Sequence, residues 1–337
     1  MLGKATTGLI VGFLALFAPA AAQAPRSADG PRAIEIKARP ILSFDARDQS
    51  LRRFGKLLFR GGLELTSTDK AFGGLSGLHV MDDGRRFVAI TDRGNWLRGE
   101  IRYDGAKPAG IINAEMAPML DAQGRPLARR GWYDTEAMTA NGGMLYVGME
   151  RVQRIVRFDY GRDGLNARAK PIPVPGAFRK LTSNKGIEGM VHVPRGQRLA
   201  GTLIVFAERG LDAAGNHTGF LVGGPTPGSF NLPRYRDFDI SDAALLPPGD
   251  ILLLERRFTW VEGVGIRVRR IPLAQIKPGA LVDGPEIFSA HMVHQVDNME
   301  ALAVHRSGTD TVLTMLSDDN FSAIQRTLLL QFTLLDE

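Results

Sequence analysis

Five stretches of this chain share one pattern: a short apolar run that closes in a Gly- or Pro-rich turn. They are "GLSGLHVMDDG" at 74–84, "DTEAMTANGG" at 134–143, "SNKGIEGMVHVP" at 183–194, "DISDAALLPPG" at 239–249 and "DNMEALAVHRSG" at 297–308. Aligned, they place Ser76, Glu136, Glu188, Ser241 and Glu300 at one position, with successive gaps of 60, 52, 53 and 59 residues. A repeat of this length means a solenoid, a propeller or an array, and it limits the fold more than any local signal does.

A second element follows each one: "RFVAITDRG" (86–94), "MLYVGMERV" (144–152), "LIVFAERG" (203–210), "ILLLERRF" (251–258) and "TVLTMLSDDNF" (311–321). Each is an apolar run ending in an acid: Asp92, Glu150, Glu208, Glu255 and Asp318. Short apolar runs bounded by turn signals read as buried strands. Two more candidate strands fit into most repeats, such as 265–273 and 281–290 in the fourth. A unit of about 55 residues holding four antiparallel strands describes a propeller blade. Gly 39 and Pro 19 suit an all-β chain rich in turns. Solenoid repeats are usually shorter.

The last repeat leaves room for about three strands, so an N-terminal strand must complete it, since an open sheet edge invites aggregation. The stretch at 56–67 is the natural candidate. The stretch at 33–44 is then spare, and the blade number stays open between five and six. The expected fold is an all-β propeller of five to six four-stranded blades, closed by an N-terminal strand and forming one domain over 32–337.

The first 22 residues stand apart. Lys4, an apolar stretch at 8–18 and the small residues Ala20, Ala21 and Ala22 have the layout of a secretory signal peptide. The apolar stretch is too short for a comfortable membrane span. Cleavage is expected after Ala22, leaving a flexible tail at 23–31. No Arg-Arg pair precedes the apolar stretch, which favours general secretion over twin-arginine export. The mature chain is expected to be a periplasmic or secreted monomer without stable membrane insertion. Zero cysteines exclude thiolate zinc sites, iron–sulfur clusters and a cysteine nucleophile. The net charge of +6 is spread over scattered arginines without aromatic interleaving, so nucleic acid is not an expected partner.

Inner propeller strands converge on a central channel. If each repeat contributes an acid there, the carboxylates repel one another unless something positive compensates. One compensation is a hard divalent cation, since Ca²⁺ takes six to eight oxygen ligands. The other is the arginine beside four of the acids: Arg93, Arg151, Arg209 and Arg256. In the last repeat no arginine follows the acid. Its Asp318, Asp319 and Asn320 offer oxygen donors alone, which makes it a candidate metal site. Lys185 stands close to Glu188. The acid–arginine pairs could equally tie neighbouring blades together. There is no G-x-S-x-G elbow, H-E-x-x-H pair, P-loop, dinucleotide fingerprint or EF-hand loop. His291 and His294 read as a loop pair rather than metal ligands.

The ordered series "GGLSGL…ITDRG", "DTEAM", "NKGIEGM", "LLLERRF" and "DNMEAL…LSDDNF" resembles the phytase-like family, described as having esterase-like activity. The resemblance runs from about Phe72 to Phe332. It implies an exported propeller and, by kinship with β-propeller phytases, calcium-assisted hydrolysis of an anionic phosphate ester or another ester. Carried onto this chain, it implies catalytic roles for Glu136, Glu188 and Glu300, and metal ligation by Asp318, Asp319, Glu188 and Glu300. It implies contacts to substrate oxygens from Lys185, Arg93, Arg151, Arg209 and Arg256. Ser76 and Ser241 stand where the repeat elsewhere carries an acid. A propeller that binds a ligand or envelope partner without turnover is the rival reading.

Overall fold

The structure, a computed structural model, describes residues 30–181, 186–247 and 249–335. The expected signal peptide, most of the expected tail and Lys185 lie outside them. The described chain is a five-bladed β-propeller with 56% of residues in strands. Among the described residues no helix is long and apolar enough to cross a membrane.

The innermost strands are Leu75–Val80, Thr135–Asn141, Ile187–His192, Asp239–Leu246 and Met299–Ser307, one per blade in chain order. These strands are neighbours around the ring. In the first four blades the chain then runs outward strand by strand, all antiparallel. The fourth shows the rule: Asp239–Leu246, Asp250–Thr259, Gly263–Ile271 and Glu286–His291 lie in sequence order.

The fifth blade differs. Its strands Met299–Ser307, Asp310–Ser317 and Thr327–Leu334 are followed outward by Leu57–Thr66 from the other end of the sequence, with Thr327 opposite Leu65 and Leu334 opposite Leu57. The stretch expected at 56–67 therefore closes the ring. The spare stretch makes no sixth blade. Its strand Lys37–Ile41 pairs with Leu57–Thr66 as an extra outer strand of the fifth blade.

The core explains why the strands read as unbroken apolar runs. The buried hydrophobic residues fall into clusters that sit between successive blades. Leu252 and Leu254 of the fourth blade pack with Leu302 and Leu313 of the fifth, while Ile251 and Leu253 pack with Val191 and Ile204 of the third. Both faces of a blade are thus buried, so alternation with polar residues disappears along "ILLL" (251–254). Truncating one such leucine to alanine costs about 2–5 kcal/mol.

Candidate functional site at the channel mouth

Each inner strand carries one β-bulge near its start, and the bulged residue is always the repeat anchor. The pairing skips Ser76 between Leu75 and Gly77, Glu136 between Thr135 and Ala137, and Glu188 between Ile187 and Gly189. It skips Ser241 between Ile240 and Asp242, and Glu300 between Met299 and Ala301. A bulge leaves one residue unpaired and re-aims its side chain. The recurring anchor in the sequence is therefore a recurring backbone irregularity.

The second strands supply an outer ring in register with the first. Asp92, Glu150, Glu208 and Asp318 donate their backbone N–H to the carbonyls of Gly74, Asp134, Gly186 and Asn298, two residues before each anchor, at 2.8–2.9 Å. In the fourth blade the residue facing the equivalent Asp239 is Arg256, not Glu255. The expected fourth acid is thus displaced by one residue. Glu255 turns away and is held inside its own blade by Arg267 at 2.8 Å and Arg269 at 2.8 Å. The outer ring is four acids and one arginine.

Arg256 spans three blades. Its Nη1 donates to Asn298 Oδ1 at 2.5 Å, and its Nη2 lies 3.0 Å from Glu300 Oε1 and 3.7 Å from Glu208 Oε1. Asn298 Nδ2 also donates to Glu300 at 2.8 Å. Burial opposes the charge of Arg256, but Glu300, Glu188, Glu208 and Glu136 overcome it and hold the guanidinium firmly protonated.

The adjoining acids of the second and third blades share only part of this compensation, since Arg256 reaches Glu208 at 3.7 Å and pulls on Glu188. Carboxylate oxygens of Glu150, Glu188 and Glu208 lie within 4.8 Å of one another. Burial, followed by the charges of Glu208 and Glu150, pushes Glu188 well above the usual carboxylate range. Burial raises Glu150 to about 8, although the Gly186 N–H donates to its Oε1 at 2.6 Å. Burial and then Glu188 raise Glu136 strongly. Burial raises Asp92 to about 7 against the pull of Arg93, and Asp92 Oδ1 is buried with no hydrogen-bond partner. Asp318 is raised by burial and then by Glu300 and Asp92. Gly74 makes room for this packing. It sits at φ +60, and a side chain there would run into the Asp92 carboxylate.

The remaining expected site residues divide by partner. Asp319 accepts N–H bonds from Gly74 and Phe321, both at 3.0 Å, and the Thr327 hydroxyl at 2.9 Å, so it joins the fifth blade to the first. Arg93 lies over the Phe321 ring at 3.2 Å and Arg151 over Tyr133 at 4.6 Å. Arg209 is paired with Asp239 at 2.6 Å. Ser76 donates to the Thr135 carbonyl, a structural bond between the first and second blades. Asp134 and Asn298 were not expected, although each stands two residues before an anchor glutamate.

Three carboxylate oxygens within 4.8 Å fit one hard divalent cation, because two ligands at about 2.4 Å from an ion are at most about 4.8 Å apart. Glu150 and Glu188, both raised by burial, are carboxyl groups that a cation would favour in the ionised form.

Among solved structures, the chain is similar to the PQQ-bound aldose sugar dehydrogenase of Streptomyces coelicolor, with 12% identity, 90% of this chain and 99% of that chain covered, and a TM-score of 0.40. It is also similar to the RRP9 WD40 repeats, with 9% identity, coverage of 79% and 95%, and a TM-score of 0.36. No curated protein matches it. A family profile described as "Phytase-like: Esterase-like activity of phytase" matches residues 70–321, and the chain belongs to that phytase-like family.

Proposed function

We propose that the protein is an exported hydrolase that cleaves a phosphomonoester or related ester at the channel mouth with the help of Ca²⁺. The observation that carries this reading is the Glu150–Glu188–Glu208 cluster, whose oxygens are spaced for one cation and whose buried carboxyl groups are costly to ionise without one. Glu150, Glu188 and Glu208 would hold the ion. When bound, it would offset the charge of the ester oxygens and make a water more acidic. Burial and the neighbouring Glu188 favour the protonated form of Glu136, which can give its proton to the departing alcohol oxygen. Water bonds to phosphorus as the bond to the alcohol oxygen breaks, and the proton lost by the water restores Glu136. Arg93, Arg151 and Lys185 border the repeats that carry the acids and would meet anionic oxygens. Glu300, Asp318 and Asp319 support the mouth from the fifth blade.

A binding propeller without turnover is the second reading, favoured by Arg256, which already neutralises Glu300. One panel separates them: phosphomonoester and carboxylic ester substrates, each with Ca²⁺ or chelator, on the wild type and Glu188→Gln. The proposal expects Ca²⁺-dependent turnover that Glu188→Gln abolishes. Absence of metal-dependent turnover together with absence of a thermal shift on adding Ca²⁺ overturns it. Export is tested separately by N-terminal sequencing of the mature protein, which should begin at Gln23.

A further inference from the structure

A cavity of about 610 Å³ lies where the third and fourth blades meet at the mouth. Its wall includes Glu208 and Arg256, so it is continuous with the carboxylate cluster. We infer that this cavity receives the alcohol portion of the substrate, and that the substrate is a phosphomonoester of an apolar, aromatic-sized alcohol rather than an inositol polyphosphate. The inference rests on the hydrolytic reading of the mouth and narrows its substrate class.

Charge balance is the first argument. Arg209, Arg234, Arg256 and Arg257 face Glu208, Asp237 and Asp239 around the cavity, four guanidinium groups against three carboxylates. These cations are engaged already. Arg209 is held by Asp239 at 2.6 Å, Arg234 by Asp239 at 2.9 Å and by Asp237 at 2.8 Å, and Arg257 by Glu262. A polyphosphate needs many cations without a resident partner. One phosphate beside a divalent ion needs far fewer, and each guanidinium has more N–H donors than one carboxylate takes.

The cavity also has an apolar side. Leu211, Phe258 and Val264 line the same cavity, and Phe258 is 60% exposed. Trp260, on the turn that follows, meets the Phe258 ring edge-on at 5.4 Å and is itself 94% exposed. An edge-on aromatic pair facing water beside a charged site offers an angled apolar surface for a ring or branched chain. A bare sugar phosphate would leave it unused.

The test compares phenyl phosphate, methyl phosphate and inositol hexakisphosphate on the full chain in Ca²⁺, with kcat/KM and tryptophan emission as readouts. Trp96 is fully buried and Trp132 lies beside Arg130 and Arg154, away from the cavity's lining, so only an emission change that disappears in Trp260→Phe reports the aromatic pair beside the cavity. Phenyl phosphate should exceed methyl phosphate at least tenfold in kcat/KM and should quench Trp260. Phe258→Ala should lower kcat/KM for phenyl phosphate about tenfold, mainly through KM. Preference for the hexakisphosphate, or an unchanged phenyl phosphate profile in Phe258→Ala, overturns the inference while leaving the hydrolase standing. If none of the three turns over, the hydrolytic reading fails and the emission titration decides the cavity. Quenching by phenyl phosphate that Phe258→Ala removes then supports it, and no quenching overturns it.

Discussion

Arg256 of the fourth blade and Glu300 of the fifth form an ion pair at 3.0 Å, and the arginine occupies the ring position that an acid takes in the other four blades. The protein thus carries one built-in cation among its converging carboxylates, placed on one side of the mouth. The adjoining second and third blades, around Glu150 and Glu188, are where an external cation has the most to gain.

Removing that cation should be costly. Arg256→Met leaves Glu300 in a buried site without its partner charge, and breaking such a pair from one side destabilises by about 3 kcal/mol. Urea unfolding should show the loss as a lower midpoint with an unchanged slope. Adding Glu300→Met to the same chain should recover a large part of it.

Calcium and the cluster acids should act against each other in stability. Ca²⁺ at a hundredfold excess over its Kd stabilises the folded state by about 2.7 kcal/mol, on the order of 5 °C in Tm for a domain of this size. Glu188→Gln should remove most of that shift. In chelator the same substitution should raise Tm, because it removes a carboxyl group whose ionisation is opposed first by burial and then by Glu208 and Glu150. Thermal unfolding in both buffers checks both signs. A wild type indifferent to Ca²⁺ would contradict the ligand assignment.

The pH dependence follows from the raised carboxyl groups. A carboxyl group whose pKa is higher in the folded state than in the unfolded state binds more protons when folded, so stability falls as pH rises. For Asp92 the fall spans from near 4 to about 7, and for Glu150 from near 4.5 to about 8. Without metal, the contribution of these groups is fully present below pH 4 and lost above pH 8. Ca²⁺ binds the ionised forms, so its stabilising effect should be larger at pH 8 than at pH 5. A series of melting curves at both pH values, with Ca²⁺ or chelator, measures the crossover.

How much of this was legible in the sequence depends on the residue. The inner ring was, because a bulged position tolerates a charge that a paired strand residue would not, and so Glu136, Glu188 and Glu300 stood out from their apolar neighbours. Ring closure was, because the last repeat lacked a strand. The outer ring was only partly so. "AERG" and "LERRF" look alike, yet Glu208 faces the mouth and Glu255 does not. A shift of one residue carries a side chain to the opposite face of the sheet, and only the pairing partner, Gly186 against Asp239, fixes the shift. The arginines were visible as cations, but their partners Phe321, Tyr133 and Asp239 come from blade contacts that no local window contains.

Glu255 gives the control for that distinction. It is fully buried between Arg267 and Arg269, and Arg269 also reaches Asp283 at 2.8 Å. Arg269→Met should destabilise by about 3 kcal/mol yet leave kcat/KM of the folded fraction unchanged. Chemical unfolding and steady-state kinetics on the same preparation test this, and a specific loss of kcat would return Glu255 to the mouth.

The sheet that joins Leu57–Thr66 to Thr327–Leu334 has a consequence for how the molecule comes into being. The two strands are almost the whole described chain apart, and contacts so distant in sequence form slowly because a large loop must close first. Four blades can fold as their strands emerge from synthesis, but the fifth must wait for both of its contributors. Glu300 and Asp318 belong to that last sheet and to the turn beside it. Glu300 and Asp318 therefore join the acids of the earlier blades only when the circle is complete, and Arg256 gains Glu300 as its partner in the same step.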